Sequence, residues 1–251
     1  MKTFKTTIAL AILLILSSTN SNSQNQSFWI HADQVKPSKQ AMYEQVTKDF
    51  IEACKKHDLK DSNWSTARVD DGTYLSITPI ANMADLDKNP LAPLMEKMGE
   101  EKFRDIFKRF NECYDQHGDY IVHLISDLSY MPNGLTPDTP GQNYRKWHFL
   151  YVTPSNVAAL RSKIKEIKNL YEKKGSKEYF RIYRSGFGTM GDYFLATVSA
   201  KDEQSYSMTS DQNDVLLGEE GKKLFTEMSM LLDRYELKTG EMKPELSYTN
   251  N

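Results

Sequence analysis

The five histidines are the side chains of this 251-residue chain best suited to proton transfer or metal binding: His31, His57, His117, His123 and His148. No two of them stand three or four residues apart on a predicted helix, so the sequence has no local zinc signature. His57 and His117 are predicted to end helices, where an imidazolium is favoured by the helix dipole. His148 has the phase of a residue that faces the helices. His31 alone is predicted to face a space between two sheets, so it is the candidate for proton transfer or haem ligation.

A glycine-rich run over 186–191, GFGTMG, matches the G-x-G-x-x-G pattern of dinucleotide-binding proteins. That pattern binds a pyrophosphate only where a helix begins directly after the glycines. Here a predicted strand follows, from Tyr193 to Ser199. The run is therefore interpreted as a hairpin loop, and we predict neither a bound cofactor nor a metal.

The first 23 residues have the order of a signal peptide. Lys2 and Lys5 precede an apolar run over 8–16, and a small, polar run over 17–23 follows. The apolar run is shorter than the roughly 20 residues that a membrane-spanning helix needs. We therefore expect cleavage near Ser23 and a periplasmic or secreted protein with no membrane insertion after cleavage.

The charge of the chain argues against one class of partner. The formal net charge is −2, and removal of Lys2 and Lys5 with the leader makes it more negative. Nucleic-acid-binding proteins usually carry a basic stripe, and none is present, so no nucleic-acid partner is expected.

The two cysteines, Cys54 and Cys113, are too few for a disulfide framework. Each lies on the apolar stripe of a predicted helix, and these two helices should run antiparallel. Their sulfurs would then lie much farther apart than the roughly 7 Å limit on bridged Cα atoms. We expect two free, buried thiols.

The chain repeats itself at intervals of 117 to 119 residues. The matching landmarks are Trp29 with Trp147, Pro37-Ser38 with Pro154-Ser155, Tyr74 with Tyr193, Gly99-Glu100-Glu101 with Gly218-Glu219-Glu220, and Asp127-Leu128-Ser129-Tyr130 with Glu245-Leu246-Ser247-Tyr248. A repeat of this length is too long for a solenoid unit. We predict a first unit over 24–132, a linker rich in proline and glycine over 133–145, and a second unit over 146–251.

Each unit is predicted to fold as β-α-β-β-α-β. In the first unit the predicted strands cover 28–34, 63–69, 73–79 and 119–128, with a helix over 38–57 and another that contains Phe103 to Tyr114. Asp70-Asp71-Gly72 between two strand-like runs is a strong hairpin signal. The second unit has strands near 146–153, 178–185 and 192–199. The predicted class is α+β, with two tandem ferredoxin-like units that face each other as an α/β barrel.

This order of elements and its duplication resemble the dimeric α/β-barrel superfamily, which includes the antibiotic-biosynthesis-type monooxygenases. The resemblance implies that two sheets of one chain face each other, so the fold should need no obligatory partner subunit. The superfamily includes cofactor-independent oxygenases, isomerases, haem enzymes and proteins of unknown role. It therefore does not select a function.

The two faces of each predicted strand differ in chemistry, because alternate residues point to opposite faces. In the first unit an apolar set should meet the helices: Phe28, Ile30, Ala32, Leu75 and Ile77. Aromatic and polar residues of both units should then face the space between the sheets. The candidate ligand-binding residues there are Trp29, His31, Trp64, Arg68, Trp147, Arg181 and Tyr183.

Three functions remain open for this face. The first choice is non-covalent binding of a small aromatic or anionic molecule, since small-molecule sites are mostly apolar with a few polar groups, and two arginines favour an acidic or carbonyl-rich ligand. An alternative is a cofactor-independent monooxygenase or isomerase. The second alternative is a structural or interaction protein with a filled barrel core.

Overall fold

The computed structural model describes residues 26–60, 62–135 and 139–250. The predicted signal peptide, 1–23, lies outside the described residues. No helix in the described part is both long and apolar enough to cross a bilayer.

The described residues form nine strands and five α-helices. The strands are β1 Ser27–Val35, β2 Asn63–Val69, β3 Thr73–Ile80, β4 Tyr114–Leu124, β5 Tyr144–Tyr151, β6 Phe180–Ser185, β7 Tyr193–Ala200, β8 Arg234–Met242 and β9 Tyr248–Thr249. The helices are α1 Gln40–Lys56, α2 Ala92–Met98, α3 Glu100–Asn111, α4 Val157–Lys174 and α5 Glu203–Ser229. The α+β class is confirmed.

Eight of the strands close into an antiparallel barrel. The order of neighbours is β3-β1-β4-β6-β7-β5-β8-β2, and β2 pairs again with β3. In each half the strands lie in the order fourth, first, third, second, and the halves meet at β4 with β6 and at β2 with β8. A single chain therefore satisfies the edges of both sheets, which would otherwise be open to pairing.

The helices cover the outside of the barrel. In the second half Leu160 and Ile164 of α4 pack with the outward residues Leu150 and Phe194. In the first half Cys54 is one of the residues of α1 that are buried, and it lies in a separate cluster. This burial of one helix face against one sheet face supplies the main apolar core on each side.

The two cysteines are free and buried, as predicted. Cys54 lies in the cluster beneath α1, and Cys113 lies in a different cluster beside Val35 and Tyr43. Burial raises the pKa of the Cys54 thiol to about 12, so this group is a neutral core residue at ordinary pH.

The last strand of the first half begins earlier than predicted. The helix α3 ends at Asn111 and β4 starts at Tyr114, whereas the sequence placed Tyr114 in a helix and the strand at 119–128. His117 is therefore a strand residue, and its predicted position at a helix end is wrong. The apolar spacing of 103–114 fits a helix well, but the polar run 115–119 concealed the strand start.

The segment after the last strand of each half crosses to the other half. Tyr130, which follows β4, bridges to Phe180 of β6. Tyr248 in β9, which follows β8, pairs with Trp64 of β2. The repeated sequence landmark at 127–130 and 245–248 is thus a pair of crossing tails.

The serine of each tail makes the same bond. The Ser129 hydroxyl accepts a hydrogen bond from the backbone N–H of Ile182 at 2.9 Å. The Ser247 hydroxyl accepts one from the backbone N–H of Thr66, also at 2.9 Å. Each hydroxyl satisfies a buried backbone donor, which explains the serine in both copies.

The inner and outer faces of the first half are the reverse of the predicted ones. Phe28, Ile30 and Ala32 line the barrel interior, together with Leu75 and Ile77. The predicted contact of this apolar set with the helices is therefore wrong. In the second half the prediction was correct, because Trp147, Phe149, Arg181 and Tyr183 do face inward.

The cause is a shift of one residue in the sequence match. Trp147 stands seven residues before Pro154, as Ile30 stands seven before Pro37, and both prolines start the short helical turn that follows the strand. Trp147 therefore corresponds to Ile30 and not to Trp29. A shift of one residue moves every side chain of a strand to the other face.

His148 faces the helix side of β5, as predicted, and its environment disfavours the charged form. Its Nδ1 lies 2.7 Å from the Tyr235 hydroxyl oxygen. Burial, and then the charge of Lys146, lower the pKa of His148 from 6.5 to about 4. In the unfolded chain this imidazole takes up a proton near pH 6.5, but the folded protein resists protonation until about pH 4.

His148 should therefore make the folded state less stable as the pH falls from about 6.5 to 4. We expect a loss of roughly 1–2 kcal/mol from this group, allowing for its partial exposure. The His148→Phe variant should lose less stability over this range in chemical denaturation at several pH values. His57→Phe, outside this environment, is the control, and an equal pH response in His148→Phe and the unchanged chain would contradict the assignment.

Candidate functional site

The barrel interior contains a cavity of about 1400 Å³ between the two halves. Its wall is mainly apolar and aromatic and draws on strands from both halves. The apolar lining includes Phe28, Ile30, Leu75, Ile77, Tyr120, Val122, Trp147, Phe149, Tyr183 and Leu195. The volume exceeds the roughly 300–1000 Å³ of ordinary ligand pockets, so a drug-sized molecule fits without rearrangement.

Polar groups are concentrated on the part of this wall formed by the second half. Arg145 and Arg181 both line the cavity and are 1% and 2% exposed. Arg181 donates a hydrogen bond to the Ser199 hydroxyl, and Arg145 donates to backbone carbonyls, among them that of Tyr144 at 3.1 Å. Two guanidinium groups thus bring N–H donors into a largely apolar wall.

Thr197 lies between Arg181 and Trp147. It is opposite Arg181 on one neighbouring strand and opposite Trp147 on the other. Its hydroxyl is buried and has no hydrogen-bond partner within the described part of the chain. A buried hydroxyl of this kind is a donor and acceptor available to a bound molecule.

The cavity opens to solvent on one side. Its lining there includes exposed residues of both halves: Asn63, Pro79, Pro132, Glu172 and Thr249. Glu172 is the one carboxylate among the described lining residues, and it pairs with Lys168 at 3.4 Å. The charge at the entrance is thus partly neutralised.

The tyrosines of the interior are hydrogen-bond donors and not bases. Burial raises the pKa of Tyr183, and it raises the pKa of Tyr120 to about 12. Both phenols are therefore neutral near neutral pH. They can donate to a ligand oxygen but cannot accept a proton from it.

Four of the seven predicted site residues border the cavity. Trp147, Arg181 and Tyr183 lie on its inner wall. Trp64 reaches its edge, although its ring stacks between Phe50 and Tyr248 at 5.7 and 5.0 Å on the helix side. A ligand-binding role for these residues stays a prediction.

The other three predicted residues, Trp29, His31 and Arg68, face away from the cavity. Arg68 lies opposite Glu241 and Tyr74 on the outer face. Trp29 and His31 both contact Asp119 on the outer face of β4. The one-residue shift described above explains Trp29 and His31, and the predicted role of His31 between the sheets is wrong.

Several lining residues were not selected from the sequence. Arg145 was placed in the linker, because the predicted strand began at 146 and not at 144. Thr197 resembles any strand threonine, so no sequence signal distinguished it. Phe28 and Ile30 were recognised as buried, and only the side on which they are buried was assigned wrongly.

On the outer face, His31 lies between two carboxylates. Its Nε2 is 3.1 Å from Asp33 Oδ1 and its Nδ1 is 2.9 Å from Asp119 Oδ1. Contact with Asp33, opposed by burial and reinforced by Asp119, raises the pKa of His31 to about 9. A positive charge is therefore favoured at this position.

Comparison with known proteins identifies the fold. No protein-family model matches the chain, and no curated protein matches it. A "putative monooxygenase" from Lactobacillus acidophilus has a similar structure, with a TM-score of 0.56, 9% identity and coverage of 90% of this chain and 97% of that chain. An anthrone oxidase-like protein gives a TM-score of 0.55 at 13% identity, over 91% of this chain and 94% of that one.

A second "putative monooxygenase", from Fusobacterium nucleatum, has a TM-score of 0.53 at 12% identity and covers 90% of this chain and 99% of that chain. These structures share the fold of the dimeric α/β-barrel superfamily, and the predicted resemblance to it is confirmed. At such low identity the likeness concerns the fold alone.

Proposed function

We propose that the barrel interior binds one small molecule non-covalently, and that this molecule combines an aromatic or otherwise planar apolar body with an anionic or carbonyl group. The observation that carries the proposal is the cavity itself. An apolar wall surrounds two buried guanidinium groups, of Arg145 and Arg181, and the buried Thr197 hydroxyl. Such a wall with a few convergent polar groups is typical of ligand sites.

Binding is favoured over acid–base catalysis by the residue types in the wall. The described lining contains no histidine or cysteine, and its carboxylate, that of Glu172, lies at the entrance. The interior tyrosines are held neutral by burial. The described wall can therefore orient and stabilise an anion, but it offers no group with a pKa suited to proton abstraction near neutral pH.

Arg181→Met tests the polar part of the site. Anilinonaphthalene sulfonate is a fluorescent aromatic anion, and phenylnaphthylamine is the same ring system without the sulfonate. We expect the unchanged chain to bind the anion more tightly, and Arg181→Met to weaken binding of the anion about tenfold or more, because a charged hydrogen bond is lost. Binding of the neutral probe should change little.

Arg184→Met is the matched control for this experiment. Arg184 is in the same strand but on the outer face, where its guanidinium lies over the ring of Phe194 at 4.8 Å. Its replacement should leave both probes unaffected. Equal affinity for the two probes in the unchanged chain, or an equal loss in both variants, would refute an anion site in the cavity.

The natural ligand can be sought directly. Native mass spectrometry of the protein purified from its own host should show an added mass that disappears on denaturation. The retained molecule should carry an acid or carbonyl group. Retention of a purely aliphatic, uncharged molecule would contradict the proposed chemistry.

The alternative is a cofactor-independent monooxygenase that uses the same cavity. Its support is the fold shared with two "putative monooxygenases" and an anthrone oxidase-like protein. In such an enzyme the substrate itself would donate electrons to oxygen. Oxygen consumption with anthrone as the probe separates the two functions. Turnover that is abolished in Arg181→Met would replace the binding proposal. Binding of anthrone without oxygen consumption would support it.

Three further proposals concern the chain as a whole. The lysines and apolar run of 1–23 support export to the periplasm or outside the cell. The repeated strand order and the equivalent crossing tails support an origin from two copies of one ferredoxin-like unit. Closure of the barrel within one chain also supports a fold that needs no partner subunit.

A further inference from the structure

The outer face of β1 and β4 carries a square of alternating histidine and aspartate. His31 lies opposite Asp119 and Asp33 lies opposite His117 in the antiparallel register. His31 and Asp33 are two residues apart on one strand, as are His117 and Asp119 on the other. All four therefore point to the same side of the sheet, away from the cavity.

Three of these residues bring possible metal ligands together. One ligand atom each from His31, Asp33 and His117 lies within 4.8 Å of the other two. His31 Nε2 and Asp33 Oδ1 are 3.1 Å apart. Bonds of about 2.0–2.2 Å to a tetrahedral zinc ion place two ligand atoms roughly 3.3 Å apart, so this pair already has the required separation.

Neighbouring groups fix the orientation of Asp33 and His31. The Tyr43 hydroxyl, from α1, donates to Asp33 Oδ2 at 2.7 Å. The Trp29 indole N–H donates to Asp119 Oδ1 at 2.9 Å, and the same oxygen lies 2.9 Å from His31 Nδ1. A carboxylate that holds the second nitrogen of a histidine is the usual support of a metal-bound imidazole.

The facing atoms of His31 and Asp33 favour a cation between them. The Asp119 carboxylate only accepts hydrogen bonds, so it places a proton on His31 Nδ1. Asp33 Oδ1 is buried and has no hydrogen bond within the described chain, although His31 Nε2 faces it. A proton on Nε2 makes this contact an imidazolium–carboxylate pair, and a zinc ion that replaces this proton would lie between the same two atoms. A metal ion between the two atoms would satisfy both.

His117, the third ligand, can complete the site from the solvent side. His117 is exposed, and its ring centroid is 5.4 Å from that of His31. Rotation of an exposed side chain costs little, so His117 can close the remaining distance. The nearby cation of Lys36 is paired with Asp115 at 2.7 Å. This ion pair reduces the repulsion that Lys36 would exert on a bound cation.

We propose that His31, Asp33 and His117 bind one zinc ion on the outer face of the barrel, with Asp119, Tyr43 and Trp29 as positioning residues. Two imidazoles and one carboxylate suit zinc better than magnesium or calcium, which prefer oxygen ligands. Three protein ligands leave a fourth coordination position to water or to a further ligand.

The test uses the full chain produced without an affinity tag. Zinc binding is measured by isothermal titration calorimetry, and cobalt is used as a spectroscopic substitute whose visible absorption reports tetrahedral coordination. We expect one ion per chain. His117→Ala should weaken zinc binding at least about tenfold, and Asp119→Asn should weaken it about tenfold to a hundredfold, as support of a liganding histidine is lost.

His57→Ala is the matched control, because His57 ends α1 at a distance from the square, and it should bind zinc as the unchanged chain does. His31→Ala should bind least. If that variant fails to fold, His117→Ala decides, since its side chain is exposed. Absence of one-to-one binding, or unchanged affinity and cobalt spectrum in His117→Ala, overturns the proposal.

Discussion

Replacement of Gly240 by alanine should destabilise the protein by at least about 3 kcal/mol. Gly240 is in β8, where the barrel closes onto β2. A Cβ atom built there would lie 2.1 Å from the Arg68 carbonyl oxygen and 2.9 Å from both the Trp147 ring and the Val69 Cα. The obstacles are mainly backbone atoms of the neighbouring strand, so the pairing itself must give way.

For a chain of this size such a loss corresponds to a fall in melting temperature of roughly 6–12 °C. Differential scanning calorimetry measures it. Gly118→Ala is the control, because Gly118 is also a strand glycine, in β4, but no atom lies within 4 Å of a Cβ built there. A melting temperature of Gly240→Ala that matches the control would show that β2 and β8 are not in this close contact.

Leu128→Ala and Leu246→Ala, in the two crossing tails, should each lower the free energy of unfolding by about 3 kcal/mol. This is within the usual range of roughly 2–5 kcal/mol for a buried leucine changed to alanine. Leu128 and Leu246 occupy equivalent places in the two crossing tails, and both are 0% exposed. Leu246 packs in the cluster that contains Tyr43 and Tyr74, beneath the helices of the first half. Leu128 packs in the large cluster beneath α4.

Each tail has its own exposed neighbour for comparison. Asp127→Ala and Glu245→Ala remove side chains that are about half exposed and should change the unfolding free energy little. Urea denaturation of the four variants measures the differences. A large cost for one leucine and a negligible cost for the other would contradict the equivalence of the two tails.

The cavity and the proposed zinc site share one strand. Phe28 and Ile30 of β1 line the interior, whereas His31 and Asp33, which follow Ile30 in the same strand, face outward. The two sites are thus separated by the thickness of one sheet. Binding at one can affect the other through the position of β1, so zinc titration in the presence of the fluorescent anion measures this coupling directly.

Much of the architecture could be predicted from the sequence. The apolar alternation of β1, the hairpin at 70–72 and the helical spacing of α1 and α4 are local patterns, and all four elements formed as expected. The glycine run at 186–191 joins β6 to β7, as expected of a hairpin loop. The repeat in the sequence also marked the crossing tails and the proline turns, which make equivalent contacts in the structure.

The sequence by itself determined the α+β class, the order of the main elements and most of the buried apolar residues, since these follow from local spacing and hydrophobicity. It did not determine the barrel face on which a buried residue lies. Ile30 is shielded from solvent by the opposite sheet, and Trp29 is largely shielded on the outer face. The alternation along the strand has the same period whichever of the two residues faces inward. Only the pairing of β1 with β3 and β4 fixed that phase. It assigned His31 to the outer face beside His117, 86 residues away, whereas the pairing of β5 with β7 and β8 placed Arg145 at the cavity.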